Sequence, residues 1–205
     1  MATERPTPLS PPFVCRWAAG LFLAPPDAEA LADYGKPEGL ALLAGLRADP
    51  ALAPVADTLA DLVAPGADLA DGADRLATAH SAAFLVGGRR SPAPYASVWL
   101  SPRGLLYQEP ARQMTRLLAE AGLDLEQGFS EPPDHLGVQL NFLAELLERA
   151  ASGAAVPIAP GDFAADHVMS WLPRFAAACD DLRNPFLYPA LAHGVADFLA
   201  REIAP

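Results

Sequence analysis

Proline constrains this chain more than any other residue: 22 of its 205 positions are Pro, several in adjacent pairs, alongside 15 Gly. Each proline removes a backbone donor and its ring clashes with the preceding turn, so long unbroken helices are excluded. Leu and Ala dominate the apolar residues, with only two Ile and nine Val, a balance that favours helix over strand. The expectation is an all-α fold, a single compact multi-helix bundle whose short helices are joined by long ordered loops. The length suits one such domain.

Along the chain, residues 1–12 (MATERPTPLSPP) are too proline-rich and too poor in apolar groups to pack, and read as a flexible lead to a helical domain over 13–205. Phe13, Trp17 and Leu21 share one face of a first helix that Pro25-Pro26 stops. Segments 27–34, 37–47 and 50–63 carry apolar residues at helical spacing. A further helix is expected from about Ala67 to Leu85, with Gly87-Gly88 as its left-handed cap. Residues 87–110 (GGRRSPAPYASVWLSPRGLLYQEP) lose the helical period and read as an ordered loop, a feature that tends to carry function. Helix resumes from Ala111 to Gly122, over 131–150 and from Phe163. Asn184-Pro185 is then placed to cap a last helix ending at Ile203. A hinge near 125–131 leaves room for a swapped dimer as well as a monomer.

The stretch SEPPDHLGVQLNFLAELL, residues 130–147, sets rigid and polar residues directly ahead of a helix. Leu136, Leu140, Leu143 and Leu147 form its buried stripe. Pro132 and Pro133 suit a first helical turn, and Asp134 falls where a carboxylate meets the positive end of the helix dipole. Two readings stay open on these residues. Either this is an ordinary capped helix with His135 at its boundary, or the prolines form a rigid mount that presents Asp134 and His135 to a ligand, the carboxylate being suited to arginine or lysine.

A net charge of -11 argues against nucleic acid and anionic membrane surfaces and fits a cationic partner. Cys15 and Cys179 are too far apart in sequence for a zinc motif or a disulfide framework, and read as buried free thiols in a reducing compartment. CRWAAGLFLAPP could pass for a secretory signal, but Glu4 precedes it and two prolines end the run without a small-residue cleavage site. No stretch approaches the ~20 apolar residues of a membrane span, so no stable membrane insertion is expected and the chain reads as cytoplasmic. Arg89-Arg90 lies mid-chain and reads as exposed loop charge. No nucleophile elbow, zinc-protease helix, phosphate loop or dinucleotide fingerprint is present. The pairs Asp134-His135 and Asp166-His167 offer an alternative, a small helical metal-binding protein or enzyme. Adjacent helical residues diverge by about 100°, so each pair supplies only one good ligand. Glu145 and Glu148 read as a solvated face.

Four elements in order, PYASVWLSPRGLLYQEP, EPPDH, HVMSWLPRF and NPFLYPAL, closely resemble the TorD/DmsD family, over roughly residues 13–200. That resemblance implies a helical, non-catalytic cytoplasmic chaperone without cofactor or metal. Its partner would be the twin-arginine signal peptide, the apo form, or both, of a molybdenum oxidoreductase of the dimethyl sulfoxide or trimethylamine oxide reductase type. It would act before cofactor insertion and export. The family pattern E-P-x-D-H matches Glu131, Pro132, Pro133, Asp134 and His135. Pro94, Tyr95, Ser97, Val98, Trp99 and Leu100 match a second pattern, and His167 with Trp171 a third. Phe22 stands where relatives place a peptide-contacting aromatic, and His80 where they place another, four residues before the phenylalanine of an element that here reads Ala83-Phe84-Leu85-Val86.

A twin-arginine leader has a cationic head and an apolar body, so its receptor needs carboxylates beside an aromatic trough. Asp134 and Glu131 are the candidates for the guanidinium groups, and Phe22, Tyr95, Trp99 and Leu136 for the trough, with guanidinium stacking on a ring as a further contact. Trp99 is equally readable as a core anchor, and Trp171 as core. His135 either hydrogen-bonds within its loop or titrates near neutral pH.

Overall fold

The computed structural model describes residues 9–85, 91–125 and 128–203. Among them eleven α-helices appear and no strand, only an isolated antiparallel bridge between Tyr95 and His135. The helices are α1 (Pro11–Leu23), α2 (Ala28–Tyr34), α3 (Pro37–Arg47), α4 (Ala53–Leu62), α5 (Leu69–His80), α6 (Ala96–Leu100), α7 (Glu109–Glu120), α8 (Leu136–Ser152), α9 (Pro160–Phe163), α10 (Leu172–Cys179) and α11 (Tyr188–Glu202). Of the expected flexible lead, residues 1–8 lie outside the described residues, and Pro11-Pro12 already form the first turn of α1. The expected glycine cap at 87–88 and the Arg89-Arg90 loop charge also lie outside, as do residues 126–127 of the expected hinge.

Proline does what its chemistry predicts. It occupies the first turn of α1, α3, α4, α7, α9, α10 and α11, where an amide would have had no helical acceptor. Asp27 and Asp68 cap α2 and α5 by accepting from Ala30 N at 2.8 Å and Ala70 N at 3.0 Å. The core runs from Val14 to Leu199 and includes Trp171, Tyr188, Phe163 and Phe175. Helix α8 is its axis, with nine buried residues. Helix α1 lies along it so closely that a Cβ on Gly137 would meet Leu23 Cγ at 2.5 Å and Ala19 O at 3.0 Å. Arg16 on α1 completes the pairing from outside, bonding Glu145 and Glu148 of α8, so those two carboxylates form an ion-paired seam between helices.

Four expectations are corrected. The helix placed over 67–85 is α5 followed by a π-helical turn, Ser81–Leu85. The helix placed from Phe163 is α9, a π-helical turn at Ala164–Met169 that follows it directly, and α10, which is set apart because Pro173 cannot donate to a continuing ladder. The loop over 87–110 contains α6 and the first residues of α7. Asn184-Pro185 does not cap the last helix. Phe186 takes a left-handed φ of 37° there, and α11 begins at Tyr188, with Pro189 in its first turn.

Candidate functional site

The two polar segments singled out in the sequence are laced together. Ala96 N donates to Asp134 O at 3.1 Å and Leu136 N to Pro94 O at 2.8 Å, which sets Tyr95 against His135. The Asp134 side chain completes the join: Oδ2 accepts from Ser97 N at 2.7 Å, so it caps α6 across 37 residues of sequence. Ser97 Oγ in turn accepts from Gln108 N at 3.1 Å and fixes the return of the loop to α7. His135 is the cap of α8, its Nδ1 accepting from Gly137 N at 3.0 Å.

This corrects the placement expected for several residues. Asp134 does not face solvent at the end of α8; it is 0 % exposed, with Oδ1 lacking a partner among the described residues. Ser97 and Leu136 are likewise 0 % exposed, and Pro132 is buried. The reason is economy of donors: the capping amide of α6 arrives from the opposite loop, and a carboxylate withdrawn from water stays where it is hydrogen-bonded. Trp99 is half-buried and anchored, with Nε1 donating to Ala93 O at 2.8 Å and its ring edge-on to Phe175 at 6.2 Å. Trp171 is core, donating to Gln139 Oε1 and to His167 O.

Five of the expected residues do converge. Phe22, His80, Tyr95, Glu131 and His135 line one hollow of about 310 Å³. Its remaining wall comes from the end of α1 and from the π-helical turn, through Leu23, Pro25, Phe84 and Leu85. Phe84 and Leu85 belonged to a sequence element that served only to locate His80. Both sit on the π-helical turn where it borders the hollow, and turns of that kind recur at functional sites. The floor is aromatic: Phe84 lies 6.2 Å from Phe22 and 5.1 Å from His80, centroid to centroid. The polar group at the mouth is Glu131, half-buried, whose Oε2 accepts the Tyr95 hydroxyl at 2.5 Å. The Tyr95 ring meets His135 edge-on at 5.1 Å.

Electrostatics suits an uncharged wall around one carboxylate. Burial pushes His135 down to about 4, so at neutral pH it is the neutral acceptor that its capping bond to Gly137 requires. Burial also lowers His80, partly offset by the Phe22 carbonyl it bonds at 3.1 Å and by Glu131. Tyr95 is raised by burial first and by Glu131 second, and remains a hydroxyl donor. Two larger hollows, of about 380 Å³ beside Leu9 and Arg201 and about 430 Å³ between Leu23, Phe129 and Phe142, contain none of these polar residues.

The pairs Asp134-His135 and Asp166-His167 are not assembled into a common site. Among the described residues no group of three His, Cys, Asp or Glu could hold one ion. His167 stacks on Phe163 at 5.0 Å while Asp166 is exposed. Cys15 and Cys179 are free and buried, and burial raises both to about 12. No helix among the described residues is long and apolar enough to cross a membrane.

Residues 47–177 match the family model described as the nitrate reductase delta subunit. Among curated proteins, the chaperone protein TorD of Vibrio cholerae serotype O1 is 33% identical over 192 residues, covering 91% of this chain and 87% of that one. TorD of Vibrio parahaemolyticus is 32% identical over 86% of this chain and 85% of its own. Among solved structures, one from Archaeoglobus fulgidus, described as a candidate redox enzyme maturation protein, covers 95% of this chain and 96% of its own at a TM-score of 0.56. At 19% identity that likeness speaks for the fold alone.

Proposed function

Because the chain belongs to the TorD family of chaperones, matched across nine-tenths of its length, we propose that it escorts a molybdenum oxidoreductase of the dimethyl sulfoxide or trimethylamine oxide reductase type. On this reading it binds the enzyme's twin-arginine signal peptide, its apo form, or both, in the cytoplasm, before cofactor insertion and export.

One observation carries the peptide-binding reading. Glu131 and a ring-lined apolar surface share a single hollow. A leader with two arginines ahead of an apolar run has complementary chemistry: guanidinium to the Glu131 carboxylate and to the faces of Tyr95, aliphatic side chains against Phe84 and Leu85. Asp134, Ser97 and Pro132 hold the two loops in register and act on the peptide only through Tyr95 and Glu131.

Contact with the rest of the apoenzyme has separate support. Leu105, Leu106 and Tyr107 stand 52%, 40% and 60% exposed on the loop between α6 and α7, and contiguous exposed apolar groups mark interaction surfaces. Tyr107 holds a left-handed φ of 57°, a strained conformation for an aromatic residue.

Capture of the apoenzyme with and without its leader by the immobilised protein tests the reading. The expected result is retention of the full-length client, reduced but not abolished when the leader is removed. Equal retention of both forms would refute leader recognition.

A further inference from the structure

Glu131 is not waiting open for a cation. Its Oε2 already accepts the Tyr95 hydroxyl at 2.5 Å, and no other hydrogen bond to this carboxylate is present among the described residues. Tyr95 is itself held on the other sides: its flanking backbone is laced to 134–136, and its ring rests against His135. His135 is fixed by its bond to Gly137. The phenol is thus presented to Glu131 by a rigid frame and stands in for the donor that a ligand would bring.

We propose that the Tyr95 hydroxyl is an internal competitor for the Glu131 carboxylate, a gate that a bidentate guanidinium has to displace and that recaptures the carboxylate when the peptide leaves. This deepens the peptide-binding reading and rests on it. The stereochemistry follows from the donors. A guanidinium pairs with both carboxylate oxygens through two parallel N–H groups, so it competes with the phenol for Oε2. A lysine ammonium is a point donor and is satisfied by Oε1 alone, leaving the phenol in place. Tyr95 therefore weakens arginine binding specifically.

The device has a use in a chaperone. A half-buried carboxylate without a donor is costly, and Tyr95 supplies one in the empty state. The same bond re-forms on release, which shortens the bound lifetime and lets the client be handed on. Burial and Glu131 both raise the Tyr95 hydroxyl above its usual range, so it stays a donor throughout the physiological span.

The test uses two synthetic peptides, one with adjacent arginines ahead of an Ala/Leu run and one with lysines in their place. Each is titrated by calorimetry into the full chain, Tyr95→Phe, Glu131→Gln and the double variant, with circular dichroism to confirm folding. The gate predicts that Tyr95→Phe binds the arginine peptide about tenfold more tightly, the factor equivalent to about 1.4 kcal/mol, through slower release. It leaves the lysine peptide unchanged, and the gain vanishes in the Glu131→Gln background. A loss of packing does not tighten binding, so a gain cannot come from damage. Unchanged or weaker arginine binding in Tyr95→Phe, or a gain that survives Glu131→Gln, overturns the gate while leaving the peptide site intact. Failure of the unaltered protein to bind the arginine peptide overturns both.

Discussion

Asp134 caps a helix it does not belong to: its Oδ2 accepts the backbone amide of Ser97, at the start of α6, over 2.7 Å, while the helix that follows it in sequence is capped by His135. A carboxylate that sequence would aim at a ligand is thereby a structural clamp, and the neighbouring Glu131 is left as the acidic group of the hollow.

The clamp is tested by substitution. Asp134→Ala leaves a buried amide without its acceptor and should destabilise the fold by about 1–3 kcal/mol, whereas Asp134→Asn, which can still accept that bond, should lose less. Urea unfolding of the two variants measures the difference. Equal stabilities would deny the clamp.

His135 ties stability to pH. Its folded value of about 4 lies below the ordinary 6.5, so between those limits the unfolded chain binds more protons and acid favours unfolding. The contribution is complete above pH 6.5 and is lost as pH falls toward 4, by about 3 kcal/mol in all. His135→Asn keeps a capping oxygen without titrating. Its stability, followed by chemical denaturation from pH 7 to pH 4, should therefore fall less steeply than that of the unaltered protein, and parallel curves would contradict the assignment.

Much of this was legible in the chain. Prolines and aspartates mark helix starts by local chemistry, so α2 and α3 fall where Asp27 and Lys36-Pro37 place them. The hollow was legible only in part. Phe22, His80, Tyr95 and Glu131 were named through family resemblance and His135 from its place beside prolines ahead of a helix, but burial of Asp134 depends on Ser97, a partner 37 residues away that no periodicity reveals. Phe84 and Leu85 stand four residues after His80 and Ser81 and so share their side of a helical turn, but the sequence element that contains them served only to locate His80, and they were not read as part of the wall they form. The late start of α11 turns on the φ of one residue, Phe186.

Helix α1 should be intolerant of any side chain at position 137. Gly137→Ala drives a methyl into Leu23 and the Ala19 carbonyl, and overpacking of this kind costs about 1–3 kcal/mol. Thermal melting should show it, and an unshifted transition would mean that the α1–α8 contact is looser than described.

Leu85 separates binding from folding. It is 62% exposed at the rim of the hollow, so Leu85→Ser should leave the melting temperature nearly unchanged. Affinity for the arginine peptide should fall about tenfold, as expected for losing one buried apolar contact of about 1.4 kcal/mol. Fluorescence anisotropy against a labelled peptide gives the comparison.

The location of the leader decides the account. A photoreactive side chain placed at Leu85, and in a separate variant at Phe129 beside the larger groove of α8, is irradiated with the arginine peptide bound, and the adducts are mapped by mass spectrometry. Crosslinking from position 85, with the adduct on the peptide's arginine-proximal residues and none from position 129, is the predicted result. Crosslinking from position 129 alone would place the leader elsewhere and contradict the assignment of the Glu131 hollow.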